Sequence, residues 1–466
     1  MALWKDAGGI RRRGARPKFT AAMPSEYEDK ILDVLKLWEG KLYRNQVKYR
    51  YYCGKNVLKD FGISIPPQLL DIETVVGWPQ KAVDALAVRS RFDGFKATDE
   101  ATQAALDAVS ERSRLRVKYR QAAQSALIHS CCFATVTVDE DGSPRIDLYS
   151  AEQAAARWDE AKGRIAYGIV IDEFKDGVPT KITLHDEDVV VRTWDTGLGF
   201  WDYSVEHIGM GRPTIESLAY RPTFRRPFGQ SRISRAVMSI TDSAVREALR
   251  TEVSAEFFTS PQKYLLGADP DAFAEMTRWE AYIGNIMAVS RDENGDLPQF
   301  GQLAQGSMQP HTDYMRALAA RFSGETNVPI STLGIIHDQP ASAEAIYAAS
   351  EPLIIECEDF NDNARDTLKT IASMALAVIA DRPLDELDAA SLDFTANFRN
   401  PAVPSIVSMA DANVKLAAAV PGYAGTDVFW KNVGFAEDMR REVESEIDEK
   451  ASAAAQNAAM TAIFGA

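Results

Sequence analysis

The stretch SRISRAVMSITDSAVREALRTEVSAEFF (Ser231–Phe258) contains neither Pro nor Gly. Laid out at about 100° per residue, it reads as one long helix with two faces. Ile233, Val237, Ile240, Ala244, Ala248 and Ala255 fall on one face. Arg232, Arg235, Asp242, Arg246 and Arg250 fall on the other. Such a helix is roughly 42 Å long at about 1.5 Å per residue, well beyond the mean of about 11–12 residues. Small apolar side chains let another helix approach closely. The stripe therefore packs either in an ordinary intrachain bundle or against another copy of the chain. In the second case the arginine face meets a neighbour's Glu247, Glu252 or Glu256, or an aqueous channel.

Outward from this helix, the pattern changes several times. Met1 to about Thr20 is basic and Gly-containing, and is expected to be a mobile arm. Ser25–Tyr52 reads as a helix with Ser25 as N-cap and Glu28 three residues on, a capping-box spacing. Its apolar face is Ile31, Val34, Leu35, Leu37 and Leu42. A second helix is expected over Gly77–Phe95, starting at Pro79 and closing near Gly94, and a third over Asp99–Ala126. From Ser130 the period becomes alternating, with turn signals at Asp141-Gly142 and Asp176-Gly177. That predicts hairpins of a β-meander running to about Tyr220.

Beyond the long helix, Thr259–Met308 reads as a compact insert. It holds a strand at QKYLLG, a helix around Phe273–Ile286 and a hairpin at AVSRDENGDLPQFGQL. A helix follows over His311–Phe322. After it come a Pro- and Gly-containing loop and a second very long helix over Ala343–Ala380. From RNPAVPS onward the chain reads as helical and Ala-rich, and no internal repeat is present.

The composition bounds the chemistry. A chain of 466 residues calls for two to four structural units. Its apolar and charged fractions are those of a folded soluble protein. The longest apolar run, Ala372–Ala380, is about half of a membrane span, so no membrane is expected. The basic opening segment lacks the apolar core of a secretory signal, which makes cytosolic synthesis the expectation. Cys53, Cys131, Cys132 and Cys357 form no CxxC pair and no Cys/His ligand spacing, so reduced and mostly packed thiols are expected. A formal net charge of −15 argues against a surface that grips nucleic acid by neutralising phosphates. It does not argue against one that lets DNA slide past.

No P-loop, nucleophile elbow, HExxH or GxGxxG is present. The cluster His185-Asp186-Glu187-Asp188 holds metal-ligating side chains, but it falls at a turn between two strands, where exposed acids are routine. No catalytic residue, cofactor or metal is assigned.

Several segments together resemble the portal proteins of tailed bacteriophages, in the form common in actinobacterial phages. They are YRYYCGK, GWPQKAVDALAVRSRFDGF, YRPTFRRPFGQSRISRAVMSITDSAVREALRTEVSAEFFTSPQKYLLG, NVPISTLG, ASAEAIYAASEPLIIECEDFNDNA and ADANVKLAAAVPGY…FWKNVGFAEDM. They span about residues 25 to 450. Cys53 departs from the pattern, since such portals more often carry a basic or polar residue there.

The resemblance implies an α+β subunit with a β-rich wing, long stem helices, a small α/β clip and a helical C-terminal crown. In this sequence those regions would be an arm at 1–24, wing at 25–230, first stem helix at 231–258 and clip at 259–308. The second stem helix would be 309–323, the tunnel loop 324–342, the long wing helix 343–395 and the crown 396–466.

It also implies a homo-oligomeric ring, usually of twelve subunits, at one capsid vertex of a virion assembled in the host bacterial cytoplasm. Double-stranded DNA would be packaged and ejected through the ring. Terminase, a head–tail adaptor and the major capsid protein would be its partners. Ile335, Ile336, His337, Asp338 and Gln339 would approach the DNA. Ile233, Val237, Ile240, Ala244 and Ala248 would form the subunit contact of the stem. Arg291, Asp292, Glu293 and Asn294 would meet the adaptor. A minor capsid or head–tail adaptor protein, or a nucleic-acid-processing enzyme of packaging, are the alternatives. A packaging ATPase would need the P-loop that this chain lacks.

Overall fold

The computed structural model describes residues 14, 16–55, 74–259, 263–266, 299–302, 307–334, 343–402, 406–426, 428–430, 439–443, 445–447, 449–450 and 452. The chain divides into two compact units, Met1–Pro401 and Ala402–Ala466. It is a mixture of helix and sheet, as the sequence predicts.

In the first unit, α1 (Ser25–Tyr52) has the expected extent but not the expected cap. Pro24 occupies the N-cap position and Ser25 is already helical, so no side chain caps the helix. Glu26 and Glu28 instead place negative charge in the first turn, where the helix dipole favours it. Ile31, Val34, Leu35, Trp38 and Leu42 are buried together against a sheet. The Trp38 indole donates to the Glu152 carbonyl at 3.0 Å.

The second expected helix is only half helix. α2 (Trp78–Ala87) is followed by a strand, β1 (Phe92–Ala97), paired antiparallel with β12 (Phe394–Phe398). Gly94, at φ +115°, marks a register shift in that pairing. The partner strand lies some three hundred residues away, so no local pattern announces it. The third expected helix is two, α3 (Glu100–Arg112) and α4 (Leu115–His129). Asp99 caps α3 through the Thr102 amide at 2.8 Å. The break falls at Arg114, which is left-handed at φ 48°. Ser113 is buried there, and its hydroxyl accepts from the Ile146 amide at 2.9 Å.

Both predicted hairpin turns are present. Asp141-Gly142 lies between β2 (Cys131–Val138) and β3 (Pro144–Ser150). Asp176-Gly177 joins β5 (Arg164–Lys175) to β6 (Val178–His185), both turn residues having positive φ. The meander, however, splits into two sheets. With β4 (Ala154–Asp159), β7 (Val189–Asp195) and β8 (Trp201–His207), one sheet runs β4-β5-β6-β7-β8. With β9 (Ile215–Ala219), the other runs β3-β2-β9.

The five-stranded sheet is covered on both faces, which is why β5 carries consecutive apolar residues. Ile169 and Ile171 join the α1 core, whereas Val170 joins Phe133 and Ile215 of the smaller sheet. Gly168 permits the close approach. A Cβ there would lie 3.0 Å from both the Ala156 Cβ and the Ile215 Cδ1.

Three long helices complete this unit: α5 (Arg235–Thr259), α6 (Gln309–Thr326) and α7 (Ala343–Ala380). α5 begins four residues later than expected, α6 extends a few residues past each predicted end, and α7 has the predicted bounds. In α7, Leu353, Cys357, Phe360, Ala364, Leu368, Ile371 and Ala375 repeat at helical spacing and enter the main core. From the predicted insert, β10 (Lys263–Leu266) and β11 (Gln299–Gln302) pair antiparallel. The expected helix at 273–286 lies outside the described residues. The second unit contains α8 (Ile406–Ala419), and within it the Tyr423 hydroxyl bonds Asn413 at 3.4 Å.

Between β9 and α5 the chain doubles back on itself. Tyr220 donates its amide to the Ser130 carbonyl at 3.0 Å and accepts from the Gln230 amide at 2.8 Å. Gly229 has φ +69°, and a Cβ there would lie 2.2 Å from the Tyr220 carbonyl oxygen. Gly229→Ala therefore meets both a disfavoured backbone conformation and a backbone clash. It is expected to destabilise this unit by at least about 2 kcal/mol, read as a lowered midpoint in urea unfolding.

Candidate functional site

The apolar stripe that opened the sequence reading is covered by the chain itself. Ile233, Val237, Ile240 and Ala244 lie in the main hydrophobic core with Leu318, Ala319 and Phe322 of α6. Ile233 precedes the helix, and Ala248 is half-buried. A face already filled from within the chain is not free to meet a neighbour, so the expected subunit contact at Ile233, Val237, Ile240 and Ala244 is corrected to an intrachain one. Periodicity reported that one face is buried; it carried no information about what buries it.

What the stripe builds is an antiparallel pair, α5 with α6. Near the C-terminal half of α5, the buried Glu247 carboxylate bonds His311 Nδ1 at 2.6 Å. The other ring nitrogen of His311 is 3.0 Å from the Ser254 hydroxyl. Arg250 donates to the second Glu247 oxygen at 3.4 Å. Glu247, one of the acids that a packing of copies would have set against a neighbour's arginines, is engaged within its own chain. The order Ser254–His311–Glu247 has the connectivity of a nucleophile–base–acid relay. Ser254 sits within α5, however, where successive backbone N–H groups are committed to helix bonds and none is left to hold an oxyanion. The arrangement serves as a brace between two helices.

At the opposite end of the pair lies a buried polar cluster centred on Arg232, which the sequence placed on the arginine face. Its side chain is 2% exposed and ion-pairs with Glu356 of α7. Nε donates to the Ala82 carbonyl of α2 at 2.5 Å, Nη1 to the Tyr220 hydroxyl at 2.9 Å, and Nη2 to the Thr326 carbonyl at the end of α6. Tyr220 donates to Glu356, and Asn327 donates to the second Glu356 oxygen at 3.1 Å. Arg221 approaches Glu356 to 3.1 Å and lies 5.4 Å over the Tyr220 ring. Burial pushes the Tyr220 hydroxyl up to about 12, opposed by Arg232 and reinforced by Glu356. One guanidinium thus joins α2, the exit of β9, the end of α6 and α7. A deviation from amphipathic spacing was the available signal: Arg232 adjoins Ile233, and both are buried.

The acidic turn does not converge on a common point. His185 is buried with Nδ1 2.8 Å from the Thr214 hydroxyl. Asp186 pairs with Lys30, Glu187 with Lys162 and Arg164, and Asp188 accepts from the Gly211 amide. Among the described residues, no group of three or more His, Cys, Asp or Glu is placed to hold a metal ion. No helix among them is long and apolar enough to cross a membrane. The predicted DNA-facing residues Ile335, Ile336, His337, Asp338 and Gln339 lie outside the described residues. So do the predicted adaptor residues Arg291, Asp292, Glu293 and Asn294.

The family model described as "Phage portal protein, SPP1 Gp6-like" matches residues 35–204. The portal protein of Mycobacterium phage D29 is 26% identical over 419 residues, covering 85% of this chain and 84% of that one. The portal protein of Mycobacterium phage L5 is 25% identical over the same length and coverage. These matches support a tailed-phage portal protein. A chain in the neck of an empty gene transfer agent particle is 13% identical, with a TM-score of 0.44 over 84% of this chain and 93% of that one. An overlap that loose carries no argument here.

Two outcomes follow from the geometry. Arg232→Met takes the buried cation from Glu356, leaving it Arg221, Tyr220 and Asn327, and should cost about 1–3 kcal/mol, while Arg232→Met with Glu356→Leu should recover part of that loss in denaturant unfolding. His185 is held down to about 3, first by burial and then by Arg192. The unfolded chain takes up this proton as pH falls through the ordinary imidazole range, and the folded chain does not. His185 therefore contributes stability that is complete above about pH 6.5 and declines as pH falls toward 3, by about 1.4 kcal/mol per pH unit. His185→Gln should flatten the acid limb of a stability–pH profile by that slope.

Proposed function

We propose that the chain is the repeating subunit of a ring at one vertex of a phage capsid, through which double-stranded DNA enters during packaging and leaves on ejection. The observation that carries this reading is the α5–α6 pair, braced at one end by Glu247–His311 and rooted at the other by Arg232. α5 alone has 25 residues, about 37 Å of helix. A rigid pair of that length suits a stem that crosses a capsid wall, and the relatives named portal protein match along most of the chain.

In this reading 259–308 is the clip that meets the head–tail adaptor and terminase, through Arg291, Asp292, Glu293 and Asn294. The segment 324–342 narrows the tunnel, with Ile335, Ile336, His337, Asp338 and Gln339 nearest the DNA. The C-terminal residues form the crown, and the outer wing meets the major capsid protein. The net charge of −15 fits a passage that does not retain phosphates. The role is mechanical, not enzymatic, and needs no cofactor.

The purified chain is expected to assemble into closed rings with a central hole, twelve subunits each, seen by negative-stain microscopy and by native mass. A species that remains monomeric, or that binds only to preformed rings of another protein, would instead indicate an adaptor.

A further inference from the structure

The segment RPTFRRPFG (Arg221–Gly229) leaves β9 as a tightly tied loop with two phenylalanines in opposite roles. Phe228 turns inward, 5.8 Å from Phe133 and 5.9 Å from Trp158, ring centre to ring centre. Phe224 stands at the tip with 111% relative exposure, the most exposed large apolar side chain among the described residues. The tip is held in shape: the Thr223 and Arg226 backbones exchange hydrogen bonds of 3.1 and 2.8 Å, and the Gly229 amide closes on Arg226 at 2.9 Å. Pro222 and Pro227 restrict the backbone on both sides. Arg225 and Arg226 are exposed beside Phe224, and the loop carries no acid.

An aromatic side chain left in water forgoes about 2–3 kcal/mol of burial, and a backbone already tied by hydrogen bonds has little ordering entropy left to lose when a partner covers it. The tip is an apolar knob with a cationic rim. Its chemical complement lies on this same chain. On the outer face of α7, Ile355 is 52% exposed and is flanked by the exposed Glu351, Glu358 and Asp359. From Ala343 to Ala364 that helix holds no Lys or Arg.

We infer that the Phe224 knob docks on the Ile355 face of α7 in an adjacent copy of the chain, with Arg225 and Arg226 against Glu351, Glu358 and Asp359. Repeated in one rotational sense from copy to copy, the contact is head-to-tail and closes into a ring when the rotation per subunit permits, whereas a reciprocal pairing would stop at a dimer. It rests on the ring reading above. It also replaces the apolar stripe of α5 with a surface the chain leaves uncovered.

The test uses the full chain with the exposed Cys53 replaced by Ser. Phe224→Cys and Ile355→Cys are combined and treated with a short bis-maleimide, and denaturing gels are run beside native-mass measurement of the untreated parent. Parent rings, together with a ladder of covalent multimers that needs both cysteines, are expected. In parallel, Arg225→Glu should lower the ring population at least about tenfold, the scale of a single interface anchor, and Glu358→Arg in the same chain should restore it. Melting of the dissociated Arg225→Glu chain should match that of parent subunits diluted until their rings dissociate, since the tip touches nothing in its own core. Parent rings with the two cysteines unlinked, or bridged within one chain, would overturn the contact and leave the ring reading standing. A parent that forms no ring would overturn both.

Discussion

The guanidinium of Arg232 is the point at which the separate parts of the first unit become one body. Its backbone amide is bound to the Leu127 carbonyl of α4 at 2.8 Å, and its side chain reaches α2, Tyr220, α6 and α7. An ion pair taken out of water is a poor source of net stability, because desolvation cancels much of the Coulombic gain. Its removal is nonetheless costly, since the guanidinium meets the Ala82 and Thr326 carbonyls, the Tyr220 hydroxyl and the Glu356 carboxylate in one buried place. The contacts fasten the end of α6, α7, α2 and the residues that lead into α5 to one point.

That constraint propagates into the neighbouring sequence. Arg232 can reach its partners only because the chain reverses tightly at Gly229, where the backbone leaves no room for a side chain. The reversal throws the intervening residues outward as the Phe224 loop while Phe228 anchors it between the sheets. At the far end of α5, Glu247 and His311 repeat the logic on a smaller scale, pinning α6 where the apolar contacts alone would permit sliding. Two polar clamps and an apolar seam between them make a helix pair that resists both shear and separation.

Parts of this organisation were legible along the chain. The Asp-Gly turns, the extents of α1 and α7 and the change of period near Ser130 depend on neighbours within a few residues, where backbone geometry and side-chain spacing dominate. The resemblance to phage portals rested on segments whose order is preserved, and the matching relatives support it. The strand β1 was not legible, because FDGFKA gains its state from a partner at Phe394–Phe398. Nor was the break at Arg114, which the Ser113–Ile146 bond across the fold rewards.

The sequence by itself determined that each long helix hides an apolar face, where the Asp-Gly turns fall and how far α1 and α7 run, because each follows from local spacing and side-chain type. It also determined the acidic balance and the absence of familiar nucleotide-binding and hydrolase motifs. Only the tertiary structure decided what covers each apolar face and which charges are paired. The stripe of α5 proved to be covered within the same chain, with α6 in the shared core, and Arg232, assigned to the face opposite that stripe, proved to be buried. The reason is physical: periodicity encodes the existence of a buried face but not the identity of its cover. A charge is placed by the sum of desolvation and partners, and its partners are distant in sequence until the chain has folded.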